Sequence, residues 1–451
     1  MKFANIDHKE LYRMPWTLPD NGISWLEPTA LCNLACDGCY RKNEAAHKSW
    51  DEVMHELDVF ERLRKSDCIS IAGGDPLLYP QIVELVAEIK RRGFKPIINT
   101  NGKALTPDLL ESLHDAGVFG FTFHVDSNQG REGRWKGKNE LELNDLRLEY
   151  AQMLARYGDL ACSFNSTVYA ENIDLVPEML RWAQEHIDIV HTMVFICFRH
   201  VIPDMPFDWY AGAKKVDWDE VWYHSDEKRE IELKANHLVA LAQDHFPGFQ
   251  PSAYLNGTEQ PDAFKWLLTE RIGTKKRIHG YVGPKFVELM MSIYHLFKGK
   301  YLSYAAPKTL NKGRLAMLLL WPFDKGLRKA TRSFLGSLLR NPFRLFQRSY
   351  IQSIMFIQPV DCMVDGAQSM CDGCPDITVW KDKLVWSCRL EELKSYGDFL
   401  RTVPIAKPEP MTATATATKA ATVTLDRNGT THASIATPES VPLPHDPVAE
   451  P

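Results

Sequence analysis

The sequence lacks the features that mark several large classes of protein. It contains no run of 18 or more apolar residues, so we expect no membrane-spanning helix. Residues 1–8 (MKFANIDH) form no apolar segment of the kind found in a secretory signal, which predicts a cytoplasmic protein. The 53 basic residues do not outnumber the 58 acidic ones, and the net charge of −5 predicts no general nucleic-acid partner.

A disulfide framework is also missing, because seven of the ten cysteines lie in two clusters instead of being spread along the chain. In a chain without an export signal, clustered cysteines indicate metal ligands. Cys68, Cys162 and Cys197 lie within apolar strand-like segments, so we expect them to behave as small buried hydrophobes.

The first cluster is the stretch 31–40 (LCNLACDGCY), where Cys32, Cys36 and Cys39 have the spacing C-x3-C-x2-C. A cubane iron–sulfur cluster normally takes four thiolates, so three close cysteines leave one iron free to hold a substrate or cofactor. The alternatives are a zinc site or three unrelated thiols. A structural zinc site takes four ligands, and the nearest histidine downstream is His47.

Strand-like and helix-like segments alternate six times between Ile23 and about residue 200. Parallel strands need crossover helices, so the alternation predicts an α/β fold with a parallel sheet and helices outside it. Six units are too few for a closed eight-stranded barrel. The expected domains are a leader (1–22), the α/β domain (23–200), a mostly helical region (201–360), a cysteine-rich β-hairpin domain (361–403) and a disordered tail (404–451).

The cysteine loop and two later motifs together resemble the radical S-adenosylmethionine (SAM) superfamily. The motifs are 73–76 (GGDP) and 99–102 (NTNG), which end the second and third predicted strands. The resemblance implies a partial (β/α)6 barrel with its chemistry at the C-terminal ends of the strands. It also implies a [4Fe-4S] cluster whose open iron chelates SAM and passes it an electron. The products are methionine and a 5′-deoxyadenosyl radical that abstracts a substrate hydrogen.

The two motifs supply candidates for SAM binding. By resemblance, Gly73, Gly74, Asp75 and Pro76 present backbone groups to the SAM amino group, since paired glycines allow close approach. The alternative for this motif is a tight strand-to-helix turn. Asn101 is expected in a ligand-facing loop, although Asn-Gly is also a common turn dipeptide.

Three further residues are expected to contact SAM. The family usually has an aromatic residue just before the third cysteine, where this chain has Gly38; Tyr40 follows that cysteine and is the aromatic candidate. By resemblance, Asn165 on the fifth predicted strand is a SAM contact. Arg199, at the end of the sixth, is a candidate clamp for a carboxylate of SAM or substrate.

The fourth predicted strand carries the catalytic candidates. Thr122, His124 and Asp126 alternate with apolar residues, so they share one face of the strand. In a barrel with an open lumen, that face points toward SAM or substrate. His124 and Asp126 are therefore candidate catalytic residues, and a purely structural histidine is the alternative.

The second cysteine cluster has the spacing Cys362-x8-Cys371-x2-Cys374-x13-Cys388, with a predicted β-hairpin between the last two. A hairpin with cysteines resembles the auxiliary-cluster extensions called SPASM or twitch domains. The resemblance implies one auxiliary [4Fe-4S] cluster that accepts an electron from substrate or binds it. A structural zinc ribbon is the alternative.

The stretch 325–348 contains seven Lys or Arg residues, no acid, and apolar residues at helical spacing. It is either a solvated helix face packed on the core, or a surface for an anionic membrane or an acidic or lipid substrate.

Together these features predict a radical SAM oxidoreductase or biosynthetic enzyme with an auxiliary cluster. The expected substrate is a peptide or a small molecule, including a sugar or lipid-like compound. Such an enzyme needs a reducing partner such as a flavodoxin or ferredoxin. The alternative is a non-catalytic metal-binding scaffold or regulator whose second cysteine cluster holds zinc.

Overall fold

The computed structural model describes residues 1–199, 201, 205–221, 223–224, 232–363, 365–405, 424–425 and 431–432. Its centre is a sheet in which six consecutive long strands are parallel, each joined to the next through a helix. The strands are β2 Ile23–Thr29, β3 Cys68–Gly73, β4 Lys95–Thr100, β5 Gly120–His124, β6 Ala161–Val168 and β7 Thr192–Cys197; β1 is the short Tyr12–Arg13. The helices are α1 Trp50–Leu63, α2 Ile82–Arg91, α3 Pro107–Asp115, α4 Asn144–Ala155 and α5 Val176–Glu185.

This arrangement confirms the mixed α/β fold with a largely parallel sheet, consistent with a partial radical SAM barrel. Alternate residues of each strand pack against the helices in one apolar core, which includes Phe121, Phe123 and Phe164. Cys68, Cys162 and Cys197 are buried, as expected for small hydrophobes. In the described part of the chain, no helix is long and apolar enough to cross a membrane.

The sheet continues beyond β7 through strands of the region that was expected to be mostly helical. Strand β13 (Tyr350–Ile357) pairs parallel with β7, and β11 (Phe264–Thr274) pairs antiparallel with β13. Strands β10 (Ala253–Asn256) and β12 (Arg277–Tyr281) both pair with β11. The alternating pattern misses β10, β11 and β12 because antiparallel neighbours need no crossover helix, and it misses β13 because that strand pairs with the distant β7.

The same region also contains helices and a small separate sheet. The helices are α6 Ala235–His245, α7 Pro284–Lys298, α8 Pro307–Leu310, α9 Gly313–Leu320 and α10 Lys325–Arg340. Helices α7 to α10 and the inner side of β10 and β11 share a second apolar core. In the small sheet, β8 (Phe207–Ala211) lies between β9 (Lys214–Val216) and β18 (Leu400–Pro404).

The C-terminal cysteine segment is built from short elements. They are β14 Asp361–Cys362, β15 Gln368–Ser369, β16 Ile377–Trp380, β17 Lys383–Trp386 and α11 Leu390–Tyr396. The predicted hairpin is formed by β16 and β17. Lys381 and Asp382 have positive φ angles of 47° and 66°, as a two-residue hairpin turn requires.

Contacts divide the chain into two units, Met1–Ala406 and Lys407–Pro451. Strand β18 crosses the expected tail boundary at residue 404. In the second unit the structure describes only two strands, β19 Thr424–Leu425 and β20 Thr431–His432, which pair antiparallel. The rest of the expected disordered tail lies outside the described residues.

Candidate functional site

The cysteine loop, residues 30–49, leaves the C-terminal end of β2. Asn43 closes its base: Oδ1 accepts from the Cys32 backbone N–H at 2.9 Å, and Nδ2 donates to the Cys32 carbonyl at 3.1 Å. Gly38 has a φ of 76°, a conformation that favours glycine. An aromatic side chain at this position would be strained, which gives a physical reason for the departure from the family pattern.

The three thiols of this loop lie close enough to affect one another. Burial is the main cause that raises the pKa of Cys32, Cys36 and Cys39, and mutual repulsion raises the pKa of Cys36 and Cys39 further. Backbone N–H groups, including that of Arg41 to Cys39, hydrogen-bond to the sulfurs and oppose the shift. Thiolates that lie close together need a nearby positive centre, which an iron–sulfur cluster would provide. The donor set therefore fits that group.

The glycine pair of the GGDP motif lies directly against the cysteine loop. The Gly74 amide donates to the Thr29 carbonyl and the Asp75 amide to the Leu31 carbonyl, both at 2.8 Å. A Cβ on Gly73 would lie 2.3 Å from the Thr29 oxygen, and one on Gly74 would lie 2.2 Å from the Leu31 oxygen. Only glycine fits this approach. A ligand amino group donates hydrogen bonds, so it would use backbone carbonyl oxygens here.

The side chain of Asp75 has a structural partner set. It is buried, accepts from the Thr100 hydroxyl at 2.8 Å and the Asn101 amide at 2.9 Å, and caps the 3-10 turn Pro76–Leu78 through the Leu77 amide at 3.0 Å. Burial is the main reason that its pKa is raised. The GGDP motif therefore forms a tight turn. The Asp75 side chain connects the ends of β3 and β4 through hydrogen bonds.

Asn101 extends this connection to the first ligand cysteine. Its Nδ2 donates to Asn33 Oδ1 at 2.8 Å and lies 3.7 Å from the Cys32 sulfur. Arg131, in the loop after β5, donates to the Asn101 carbonyl at 2.8 Å, and its charge lowers the pKa of Cys36. The loop after β4 thus places an N–H donor near the Cys32 sulfur, and the loop after β5 contributes a cation that acts on Cys36, as the surroundings of a cluster require.

The two catalytic candidates contact each other. His124 Nε2 lies 2.8 Å from Asp126 Oδ2 and 3.2 Å from the Thr167 hydroxyl. Asp126 is 3% exposed, whereas the side chain of His124 is 36% exposed. Burial alone would raise the pKa of Asp126, but the hydrogen bond and charge of His124, with the Asn128 amide, bring it below its usual value. A buried carboxylate therefore orients an accessible imidazole.

The strand register places polar side chains in one row across the inner face of the sheet. Asn165 lies beside His124 in the register of β5 and β6. Asn99 Nδ2 is buried and has no hydrogen-bond partner among the described residues, so this wall retains a donor for a ligand. The row runs, strand by strand, through Asn99, Thr122, Ser163, Thr192, Ser353 and Glu270.

Arg199 already binds a carboxylate of this chain. Its Nε and Nη2 each donate to Asp361 Oδ1 at 3.1 Å, and Nη2 also donates to the Leu233 carbonyl at 2.5 Å. These contacts engage the guanidinium, and the role of Arg199 as a carboxylate clamp for SAM or substrate stays a prediction. Arg199 joins the end of β7 to the C-terminal cysteine segment.

Arg41 forms a second bridge between the two cysteine groups. Its buried guanidinium pairs with Glu27, lies 3.4 Å from Glu391 and donates to the Ser387 carbonyl at 2.7 Å. The Arg41 guanidinium also lies over the Tyr40 ring, 4.9 Å from its centroid, and burial raises the Tyr40 pKa well above its usual value. Tyr40 thus sits at the junction of the two cysteine groups, and its contact with SAM stays a prediction.

The structure brings together three of the four C-terminal cysteines. A hydrogen bond to Cys371 is the main cause that raises the pKa of Cys374, with burial next. Burial and then Cys371 raise the pKa of Cys388 to about 12. Asp376 lies beside them, and burial raises its pKa to about 7. These crowded acidic groups also favour a positive centre.

Cys362 has different neighbours. Burial raises its pKa to about 11, and its main electrostatic neighbours are Arg389, Asp361 and Glu392, not the other thiols. Arg389 also lowers the pKa of Cys388, so its charge acts on both thiols. In the described part of the chain, no three Cys, His, Asp or Glu residues converge tightly enough to hold a single metal ion.

Sequence reasoning missed three residues of this site. Asn43 and Arg41 lie inside the cysteine loop, where spacing alone gave no reason to single them out. Glu270 gave a signal, since it is an acid within the apolar strand FKWLLTERIGT. Burial raises its pKa to about 7, partly offset by a hydrogen bond from Ser353.

Comparisons with known proteins match the part of the chain that holds this site. The family model described as the Radical SAM superfamily matches residues 26–183. The match therefore supports a similarity between this part of the chain and the radical SAM superfamily. Members of this superfamily are enzymes that bind a [4Fe-4S] cluster and SAM. The matched range contains the first cysteine loop, both motifs, His124, Asp126 and Asn165.

Curated relatives are similar to this chain over part of its length. The tungsten-containing aldehyde ferredoxin oxidoreductase cofactor-modifying protein of Pyrococcus furiosus is 34% identical over 23% of this chain and 30% of its own length. The AdoMet-dependent heme synthase of Methanosarcina barkeri is 26% identical over 47% and 60%, respectively. The PqqA peptide cyclase of Gluconobacter oxydans is 28% identical over 40% and 52%. The chain thus spans between 30% and 60% of the length of these relatives.

Proposed function

We propose that this protein is a radical SAM enzyme that generates a 5′-deoxyadenosyl radical and uses it to abstract hydrogen from a substrate in the barrel lumen. The observation that carries the proposal is that Cys32, Cys36 and Cys39 lie close enough to affect one another's pKa at the C-terminal end of a parallel sheet, inside the range matched by the family model. When bound there, a [4Fe-4S] cluster would supply the electron that cleaves SAM.

The residues around the thiols hold and tune the cluster in this proposal. Asn101 and the backbone amides near Cys32 and Cys39 donate toward sulfur, which stabilises charge on the thiolates. Asp75 fixes Asn101 by accepting from its amide. The carbonyls of Gly73 and Gly74 are the acceptors that we assign to the SAM amino group.

The lumen wall positions the substrate and moves protons. Asp126 accepts from His124 Nε2, so Nδ1 is the atom that we assign to the substrate or SAM. Asn165 lies beside His124 and supplies an amide for orientation. Further around the row, Glu270 is an acid whose pKa of about 7 suits proton transfer near neutral pH.

We infer that the C-terminal segment holds an auxiliary [4Fe-4S] cluster on Cys371, Cys374 and Cys388, with Cys362 as the fourth ligand. The proximity of the first three thiols supports this assignment. Cys362 shares the charge of Arg389 with Cys388, which supports its assignment to the same group. A flavodoxin or ferredoxin would supply the reducing electron.

The substrate class follows from the relatives and the lumen. Relatives are named for a peptide cyclase and a heme synthase, so both peptides and small molecules fit the proposal. Polar residues line the wall formed by β4 to β6. The neighbouring row on β7, β13 and β11 is apolar and contains Val194, Met355 and Leu268. A substrate with one polar and one apolar side would complement this lumen.

Anaerobic reconstitution with iron and sulfide, followed by SAM and dithionite, tests the proposal. We expect 5′-deoxyadenosine by liquid chromatography and mass spectrometry from the unaltered chain, and none above background from Cys36→Ala. The matched control is Cys197→Ala, a buried cysteine on β7 away from the thiol loop. Cleavage that survives Cys36→Ala would remove this loop from the mechanism. Absence of cleavage from the unaltered, iron-loaded chain would favour the scaffold alternative.

A further inference from the structure

One region of the surface holds a disproportionate share of the exposed apolar side chains. Among the described residues, ten of the nineteen large hydrophobic residues that are exposed lie between residues 313 and 346. The most exposed are Leu339 at 89%, Phe346 at 80% and Phe343 at 79%. An apolar surface of this kind marks a binding site in a folded protein.

These side chains belong to one continuous structural unit. Helix α9 packs on α10, and the 3-10 turn Pro342–Phe346 packs on the end of α10. Arg314 of α9 donates to the Leu345 carbonyl of that turn, which closes the unit. Phe334 and Leu327 anchor it from below in the second apolar core. We call residues 313–348 the apolar-basic platform.

The charge on the platform has one sign. It contains eight Lys or Arg residues and a single acid, Asp324. Asp324 is buried, and its carboxylate accepts hydrogen bonds from the backbone amides of Gly283, Phe286 and Leu327. None of the eight cations has an ion-pair partner within the described part of the chain.

The cations also lie where helix formation does not favour them. Lys325 begins α10, and its first turn contains no acid, although the N-terminus of a helix prefers negative charge. The exposed face of α10 begins with Lys325, Lys329 and Arg332 and ends with Leu335 and Leu339. Stability of the isolated helix therefore does not explain this distribution.

We propose that the platform docks on the surface of an anionic lipid bilayer. Helix α10 has 16 residues, too few to span a bilayer but enough to lie in its interface, with Leu339, Phe343 and Phe346 among the acyl chains. Lysine and arginine side chains can keep their stems in the apolar layer and their charges among lipid phosphates. A second copy of this chain fits the surface poorly, because a symmetric contact would oppose eight cations with eight cations.

Vesicle co-sedimentation of the full chain tests the proposal. The probes are vesicles of pure phosphatidylcholine and vesicles in which about a third of the lipid is phosphatidylglycerol. We expect binding to the anionic vesicles, weaker binding to neutral ones, and loss of the difference in 1 M salt, where the screening length is about 3 Å. The readout is binding, so its outcome is independent of the proposed SAM chemistry.

Two variants and one control locate the surface. The variant Leu339→Glu, Phe343→Glu and Phe346→Glu should lower binding to anionic vesicles at least about tenfold, since it replaces the inserted groups with charges. The variant Lys325→Gln, Lys329→Gln and Arg332→Gln should weaken anionic binding by roughly fivefold per charge and leave neutral binding unchanged. The control Leu18→Glu, Leu63→Glu and Ile405→Glu adds the same charge at exposed apolar positions elsewhere.

Each of the following outcomes would overturn the proposal that the platform docks on an anionic bilayer. Equal loss in the control would show that net charge, not the platform, governs binding. Failure of the unaltered chain to sediment with anionic vesicles would also reject a lipid partner. If size-exclusion chromatography then shows a dimer that the Leu339, Phe343 and Phe346 variant dissociates, the occupant is a second copy. Thermal unfolding of each variant checks that the fold is retained.

Discussion

The buried ion pair between Arg147 and Glu140 supports the strand end that precedes Asp126. Its removal should therefore produce a large change in the free energy of unfolding. Arg147 donates to Glu140 Oε2 at 2.5 Å and to the Val125 carbonyl at 2.7 Å. Glu140 in turn accepts from the Ser127 amide at 2.7 Å. The pair therefore holds both residues that flank Asp126 in the chain.

The magnitude follows from burial. The side chains of Arg147 and Glu140 are 0% and 2% exposed, so Arg147→Met leaves a buried carboxylate without its cation. Breaking such a pair costs about 3–5 kcal/mol, whereas replacing both partners by apolar groups of similar volume is often neutral. We expect Arg147→Met to lower the free energy of unfolding by about 3–5 kcal/mol. We expect Glu140→Met combined with Arg147→Met to recover at least about 2 kcal/mol of that loss.

Urea unfolding of the apo chain under reducing conditions, followed by tryptophan fluorescence, measures both values. The release of 5′-deoxyadenosine by the loaded variants reports whether the position of Asp126 is disturbed. Lys138→Met with Glu142→Met is the matched control, since that pair is an exposed i,i+4 contact and should contribute little to stability. Additive effects of the Arg147 and Glu140 substitutions within about 0.5 kcal/mol would refute the reasoning.

The remaining predictions concern protons, sulfur and iron. Burial raises the pKa of Glu270 to about 7 from an unfolded value near 4.3, so the free energy of unfolding should fall as pH rises between these values. Glu270→Gln should remove this pH dependence in urea titrations at pH 4.5 and pH 8. Because the pKa of Asp126 is lowered, its contribution should be present above about pH 4 and lost as pH falls through the folded value; Asp126→Asn should abolish this step in acid unfolding. Asn101→Leu removes the N–H directed at Cys32 and should lower the reduction potential in an electron-paramagnetic-resonance redox titration, and an unchanged potential would contradict that contact. Iron content should approach about eight atoms per chain for two cubane clusters, and about four with zinc bound would reject the auxiliary cluster. Cys362→Ser tests the fourth ligand, since full iron retention would exclude it.

Local patterns predicted much of the fold. The six strands and five helices between residues 23 and 197 follow from apolar periodicity, since each helix buries one face and each strand joins a buried sheet. Strands β11 and β13 escaped prediction because their partners lie far away in sequence. An antiparallel strand needs no crossover helix, so an alternating pattern of helices and strands does not predict it.

The candidate site was predictable in its ligands and less so in its surroundings. Cysteine spacing and paired glycines identify a chemistry directly, because few other structures need those residues at those intervals. The structural role of Asp75 was not predictable, since its hydrogen-bond donors Thr100 and Asn101 lie about 25 positions later in the chain. Arg199 meets Asp361, 162 positions later, and nothing local encodes such a pairing.

The amino-acid sequence by itself determined the parallel α/β core, the two thiol clusters and the polar face of β5, because each depends on short-range spacing. Tertiary structure alone decided which distant charges meet, namely Arg41 with Glu391 and Arg199 with Asp361. Pairing between distant segments depends on the geometry of the folded chain. Residue order along the chain does not contain that geometry in any local window.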